Sequence, residues 1–468
     1  MIIAMRGRVI GTAVFAACSF NNPSGPVDAP NSLGSDAQIA SDAPAMNPDG
    51  GTCTGSSAMC EPDNITLRTC AAAGDNPVDT KCSWGCVAVP SAHCGEMIPT
   101  GSAATGSDLF DGSNALAAIT LPDNTEIDPM TGGITGGTTI RNVGMGIDHQ
   151  IDYEMRNGVA VFRFAGLTIA GRLKFHSPAS QAFYPAVVLV STQDITVDGA
   201  IDAQGGCSGG EGGPGGGVGA TANHNANGSG GGATDPGANR ALGGGGGGFG
   251  AAGGSGGNGN NSPASPAGGT PFGDQLIAVL YGGGGGGGGA GTDGNAWGGG
   301  GGGAIQLVAN GKLTIINTGS INAGGCGGVS SQSSSTSSGA GGGAGGAILL
   351  EAHDIAIAGQ LAVNGGGGGA ANSGTGGDHG SNAGLGRGSA AGSTNDNGGA
   401  PGGNGGYALS LGGGNGSSDN GWGGGAGGGV GRMRFNTFSG SADVDNTMLS
   451  PALIDNPTTC TQGSATVQ

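Results

Sequence analysis

The strongest constraint on this chain is an internal repeat that begins near residue 158. Leu167-Thr-Ile-Ala-Gly171-Arg-Leu173 matches Ile195-Thr-Val-Asp-Gly199-Ala-Ile201, and both match Ile355-Ala-Ile-Ala-Gly359-Gln-Leu361. The stretch from Leu313 to Ile321 is the same unit with two extra residues before Gly319. Upstream, Val188-Leu-Val190 aligns without a gap on Ile348-Leu-Leu350, with Ile305-Gln-Leu307 as the counterpart in the middle copy. Downstream, Ile201-Asp-Ala203, Ile321-Asn-Ala323 and Leu361-Ala-Val363 each run into Gly-Gly.

Each copy holds three short strands, with a turn glycine (Gly171, Gly199, Gly319, Gly359) between the second and third. Period-two alternation puts Val188, Val190, Ile195, Val197, Ile201 and Ala203 on one face. Three such strands cannot bury that face alone. Stacking copies in parallel, about 4.8 Å apart, buries it and pairs the backbone. The expected fold is all-β: a right-handed parallel β-helix, or β-solenoid, over residues 158–445. Solenoid ends need cover, so residues 97–157 are expected as an N-terminal cap and 446–468 as a C-terminal cap or tail. A fourth rung is expected at Gly431-Arg-Met-Arg-Phe435.

After each Gly-Gly the chain leaves the solenoid, from about 207 to 303, from 326 to 346 and from 367 to about 429. All three excursions depart from one point of the rung, so they project from one edge. They carry most of the 115 glycines, and runs such as 282–289 exclude a collagen repeat. Two readings stand for them. One is unstructured low-complexity linker. The other is ordered polyglycine II, with three residues per turn and hydrogen bonds only between neighbouring chains.

Cysteine use points to an oxidising compartment. Six of the ten fall at Cys53, Cys60, Cys70, Cys82, Cys86 and Cys94, inside a module of residues 52–96 too small to fold on a core alone. Three disulfides are expected, in any of fifteen pairings. Zinc is a weak alternative, because Cys82-Ser-Trp-Gly-Cys86 has no second close pair and His93 stands alone. Cys207 and Cys326 each follow the Gly-Gly that closes a third strand. In a parallel stack they lie about 4.8 Å apart, within disulfide reach, whereas the simpler alternative is two unpaired thiols. Cys460 is left single, or pairs with one of the cysteines assigned elsewhere.

At the start, a basic segment, Met5-Arg6-Gly7-Arg8, precedes a short apolar one that ends in Phe15-Ala16-Ala17-Cys18. Residues 1–18 resemble a bacterial lipoprotein signal, which implies a lipid on Cys18; an ordinary secretory signal is the alternative. Residues 19–51, rich in Pro, Ser, Asn and Asp, read as a flexible acidic linker. The six-cysteine module, the Gly-Gly-Ala-Ile-x-Leu returns and the glycine body together resemble the glycine-rich, PE-PGRS-like surface lipoproteins of myxobacteria. That resemblance implies a structural or adhesive component of the outer membrane or extracellular surface, held to the membrane through its N-terminal lipid.

Little points to catalysis. A glycosidase needs two carboxylates facing each other across a cleft. Asp194, Asp198 and Asp202 are the densest acids in a rung, but their equivalents on adjacent rungs are not acidic pairs. Gly288-Gly-Ala-Gly-Thr-Asp293 matches a calcium repeat once, where many tandem copies are needed. The six histidines are scattered. No enzyme activity, metal or cofactor is expected. A net charge of −18 argues against nucleic acid. The expected function is a non-catalytic surface lipoprotein with a structural or adhesive role, its partners being surface polysaccharide or other cell-surface components. The alternative is a carbohydrate-binding or carbohydrate-cleaving β-helix, which the 4% aromatic content disfavours.

Overall fold

The computed structural model describes residues 53–101, 109–110, 115–176, 184–208, 210–226, 230–234, 241–259, 264–291, 296–330, 337–372, 377–394, 399–419 and 421–468. Cys18 and the linker of residues 19–51 lie outside the described residues. Among the described residues the chain is nearly all β, with curled sheets, no α-helix and a 3-10 turn at Asn446–Met448.

The repeat is written into the strand register. Leu167, Ile195, Leu313 and Ile355 sit level with one another, each strand pairing in parallel with the next. The third strands do the same through Leu173, Ile201, Ile321, Leu361 and Leu449. Parallel pairing starts before residue 158, because Ala118–Leu121 and Thr125–Ile127 already pair in parallel with Gly166–Ile169 and Leu173–Phe175. It also continues into the C-terminal tail, where Cys460–Ser464 pairs in parallel with Arg432–Thr437. The antiparallel strands Gly146–Asp148 and Ile151–Arg156 cover the first edge.

The first-strand column departs from the expected alignment by one residue. Val187, not Val188, is level with Ile305 and Ile348. The cause is one extra residue at the bend. Eight positions separate Ile305 from Leu313, but seven separate Ile348 from Ile355, and the register shifts between Ala309 and Lys312. A one-residue shift moves every side chain to the opposite face. Val187 and Leu189 therefore enter the main core with Ile195, Val197, Ile201 and Ala203. Val188 and Val190 point the other way, into a second apolar cluster with Val161, Ala304, Val308 and Leu349. Both clusters are buried, which explains the unbroken apolar run of this strand.

Each turn glycine is needed for close approach rather than for a left-handed backbone. At Gly199 an added Cβ would overlap the Gly171 carbonyl, and at Gly359 it would overlap that of Gly319. The same carbonyls accept the next copy's amides, from Ala200 to Gly171 at 3.2 Å and from Gln360 to Gly319 at 3.1 Å. Any side chain would push consecutive copies apart.

The six-cysteine module is a three-stranded sheet plus a short hairpin. Its disulfides join Cys53 to Cys70, Cys60 to Cys86 and Cys82 to Cys94. The buried Trp84 indole donates to the carbonyl and side-chain oxygens of Asn310, at 2.9 and 2.8 Å. Asn310 belongs to the register-shifted bend, so the extra residue there is what the module grips. Met97–Ile98 then pairs antiparallel with Thr466–Val467, tying the module to the end of the chain.

Candidate functional site

The glycine excursions pack together through their backbones. In segment 282–290, the amides of Gly283, Gly286 and Gly289 donate to Gly302, Gly299 and Ala296, at 2.8–3.0 Å. The next set, Gly284, Gly287 and Ala290, donates to a different neighbour at Gly248, Gly245 and Leu242. On another side the amides of Gly217, Ala220 and Asn223 reach the carbonyls of Gly283, Gly286 and Gly289. A hydrogen-bonding partner thus recurs every third residue, and each strand of the bundle is bonded to several others.

The bundle draws on all three excursions. Gly244 of the first donates to Gly339 of the second, and Ala426 of the third donates back to Gly244, at 2.9 Å each. The described glycines of 243–248 are buried throughout. There is no room for side chains: an added Cβ at Gly246 would overlap the Gly427 carbonyl. Composition and packing therefore explain one another, since only glycine allows the backbones this close.

At the base of the bundle Cys207 and Cys326 form a disulfide with a Cα separation of 5.2 Å. Cys460 is free and buried, and burial pushes its thiol well above the ordinary range. Of the acids singled out from sequence, Asp194 and Asp198 cap turns of the next copy, accepting from the Lys312 amide at 2.7 Å and the Thr318 hydroxyl at 2.6 Å. Asp202 pairs with Arg172. Among the described residues no three His, Cys, Asp or Glu side chains gather as a metal-binding group. Asp293 of the calcium-like stretch lies outside the described residues.

Beside the base of the bundle lies a groove of about 310 Å³ that inspection of the acids alone missed. Arg172, Lys174 and His176 alternate outward along one strand, while Leu173 and Phe175 turn into the core. Lys174 is level with Glu126 on one neighbouring strand and Asp202 on the other. Glu126 accepts from Lys174 at 3.0 Å and from His176 at 2.8 Å. Burial raises the Glu126 carboxyl, but those two hydrogen bonds outweigh it and hold the group below its usual range. Tyr184 lines the same groove at 4% exposure, and its buried hydroxyl has no hydrogen-bond partner among the described residues. Burial raises its phenol above the ordinary value, so it stays protonated. The signal in the sequence was the period-two run Arg172-x-Lys174-x-His176, in a chain with only 14 lysines and arginines.

A second cavity, about 340 Å³, is lined by the apolar residues Val159, Ala186, Leu280 and Tyr281. Comparison with known families, characterised proteins and solved structures finds no match to this chain. Four disulfides are the mark of an oxidising environment. Among the described residues no helix is long and apolar enough to cross a membrane.

Proposed function

We propose that this chain is an exported surface protein with a structural or adhesive, non-catalytic role, and that its working part is a rigid glycine bundle. In this reading the body is a right-handed parallel β-helix and the excursions form a polyglycine II sheaf along one edge. The observation that carries it is the lateral hydrogen bonding of the glycine segments, recurring every third residue across all three excursions. Polyglycine II has three residues per turn and no bonds within a chain, so its donors and acceptors all point sideways to neighbours. A bundle built this way offers stiffness and a broad, uncharged surface. It offers few side chains with which to do chemistry.

The cysteine module and the signal-like start support export, and Cys18 is the proposed lipid attachment that would hold the body at the outer membrane or cell surface. The kinship to PE-PGRS-like myxobacterial lipoproteins belongs to the same proposal. Palmitate labelling of the wild type against Cys18→Ala, with protease treatment of intact cells and adhesion assays on a deletion strain, tests it. Labelling lost in the variant, surface cleavage and weakened adhesion are expected. Equal labelling of both forms removes the anchor, and a deletion strain with unchanged adhesion and envelope removes the role.

A further inference from the structure

We propose that the groove formed by Glu126, Arg172, Lys174, His176, Asp202 and Tyr184 binds a neutral saccharide. Its biological meaning rests on the adhesive reading above, but the site stands on its own geometry. About 310 Å³ is at the small end of ligand pockets, suited to one or two pyranose rings.

The charges specify the class of ligand. Two fixed cations, Arg172 and Lys174, are matched by two carboxylates, Asp202 and Glu126, each in contact with its partner. An anion would have to displace one of those carboxylates, and a cation would have to displace a basic group. A sugar hydroxyl both donates and accepts, so it can join the ladder without breaking a pair. The side chains of Arg172, Lys174 and His176 are about half exposed, at 59%, 50% and 54%, while Glu126 and Asp202 sit lower, at 29% and 24%. Donors therefore stand at the rim and acceptors below, across successive strands.

Tyr184 is the second and independent observation. A buried hydroxyl without a partner is costly, and native proteins seldom keep one without use. Burial above all, and then the nearby Asp128 and Glu126 carboxylates, keep it neutral and able to donate. The hydroxyl is closed off from solvent beside the groove, so a small movement of the ring is what would bring it against a ligand oxygen there. The neighbouring Gly205, Gly206 and Pro214 place the site at the point where the first glycine excursion leaves the body, on the edge from which the bundle projects.

The test is saturation-transfer NMR on the full secreted chain with methyl glucoside, N-acetylglucosamine, galacturonate and inorganic phosphate. Millimolar binding of at least one neutral pyranose is expected, with galacturonate weaker and phosphate silent. Tyr184→Phe should weaken that binding about tenfold, the worth of one buried hydrogen bond. It should leave the melting temperature unchanged or raised, since it removes an orphaned hydroxyl. Lys174→Met serves as a second, exposed variant and should also weaken binding. Silence from both neutral sugars at about 10 mM, above the millimolar dissociation constant expected here, overturns the proposal. So does unchanged affinity in both variants, or stronger binding of galacturonate or phosphate. Adhesion of the deletion strain is scored separately, so loss of this site leaves the structural role standing, and the reverse.

Discussion

Cys207 and Cys326 are 119 residues apart in sequence and 5.2 Å apart at Cα. They close the base of the first glycine excursion because Ile201 and Ile321, just before them, sit level on adjacent parallel strands. In the chain-entropy view a loop of this length is worth close to 5 kcal/mol as an upper figure, reduced by structure remaining in the unfolded chain. Replacing both cysteines with serine should lower stability by about 2–4 kcal/mol in urea titration. Non-reducing peptide mapping of the wild type should recover the crosslinked pair. Recovery of both residues as free thiols would contradict the pairing.

The turn-glycine column gives a sharper mutational signal. Gly199→Ala places a methyl against the Gly171 carbonyl, which has no room to move because it already accepts the Ala200 amide. A cost of about 1–3 kcal/mol is expected from overpacking. Gly384→Ala, where an added Cβ meets nothing, is the control and should be near neutral. Equal effects at the two sites would mean that the close approach at Gly199 is not under constraint.

Glu351 holds the segment that leaves the cysteine module against the body. Its buried carboxylate accepts from the Thr100 amide and hydroxyl, from Gln306 at 2.6 Å and from Asn436 at 2.8 Å. Glu351→Leu leaves those donors buried and unpaired, at a cost of about 3 kcal/mol. Limited proteolysis should then release the cysteine module before the body is cut. Simultaneous loss of both parts would show that the module is not separately latched.

Cys460 is the one described cysteine outside a disulfide, and burial holds its thiol protonated far above neutral pH. In a Cys18→Ser chain, Ellman's reagent at pH 8 should find no reactive thiol in the native protein and one after denaturation. Rapid reaction of the native protein would place Cys460 at the surface.

The strand repeats, the turn glycines and the common exit point of the excursions were all legible from residues, because each follows from a short-range spacing. The phase of the first strand was not. Val187 to Val190 is apolar on both faces, so alternation could not choose between Val187 and Val188, and an ungapped alignment hid the extra residue at the bend. The start of parallel pairing at Ala118 was missed because Ala118–Leu121 and Thr125–Ile127 lack the turn glycine, with Asp123 standing where later copies have Gly171. The three module disulfides needed coordinates, since fifteen pairings fit the spacing. The groove was overlooked because acids were compared only with acids, and its charge pattern comes from a basic strand set between the strands that carry Glu126 and Asp202.

Hydrogen exchange of the glycine excursions tests the central claim most directly. Peptic fragments covering 243–248, 282–290 and 339–346 should exchange as slowly as the strand Ala304–Ile315, because their amides are bonded between neighbouring backbones in a buried bundle. Exchange of those glycine amides at the rate of an unstructured peptide, with the strands still protected, would contradict the bundle and return the excursions to simple linkers.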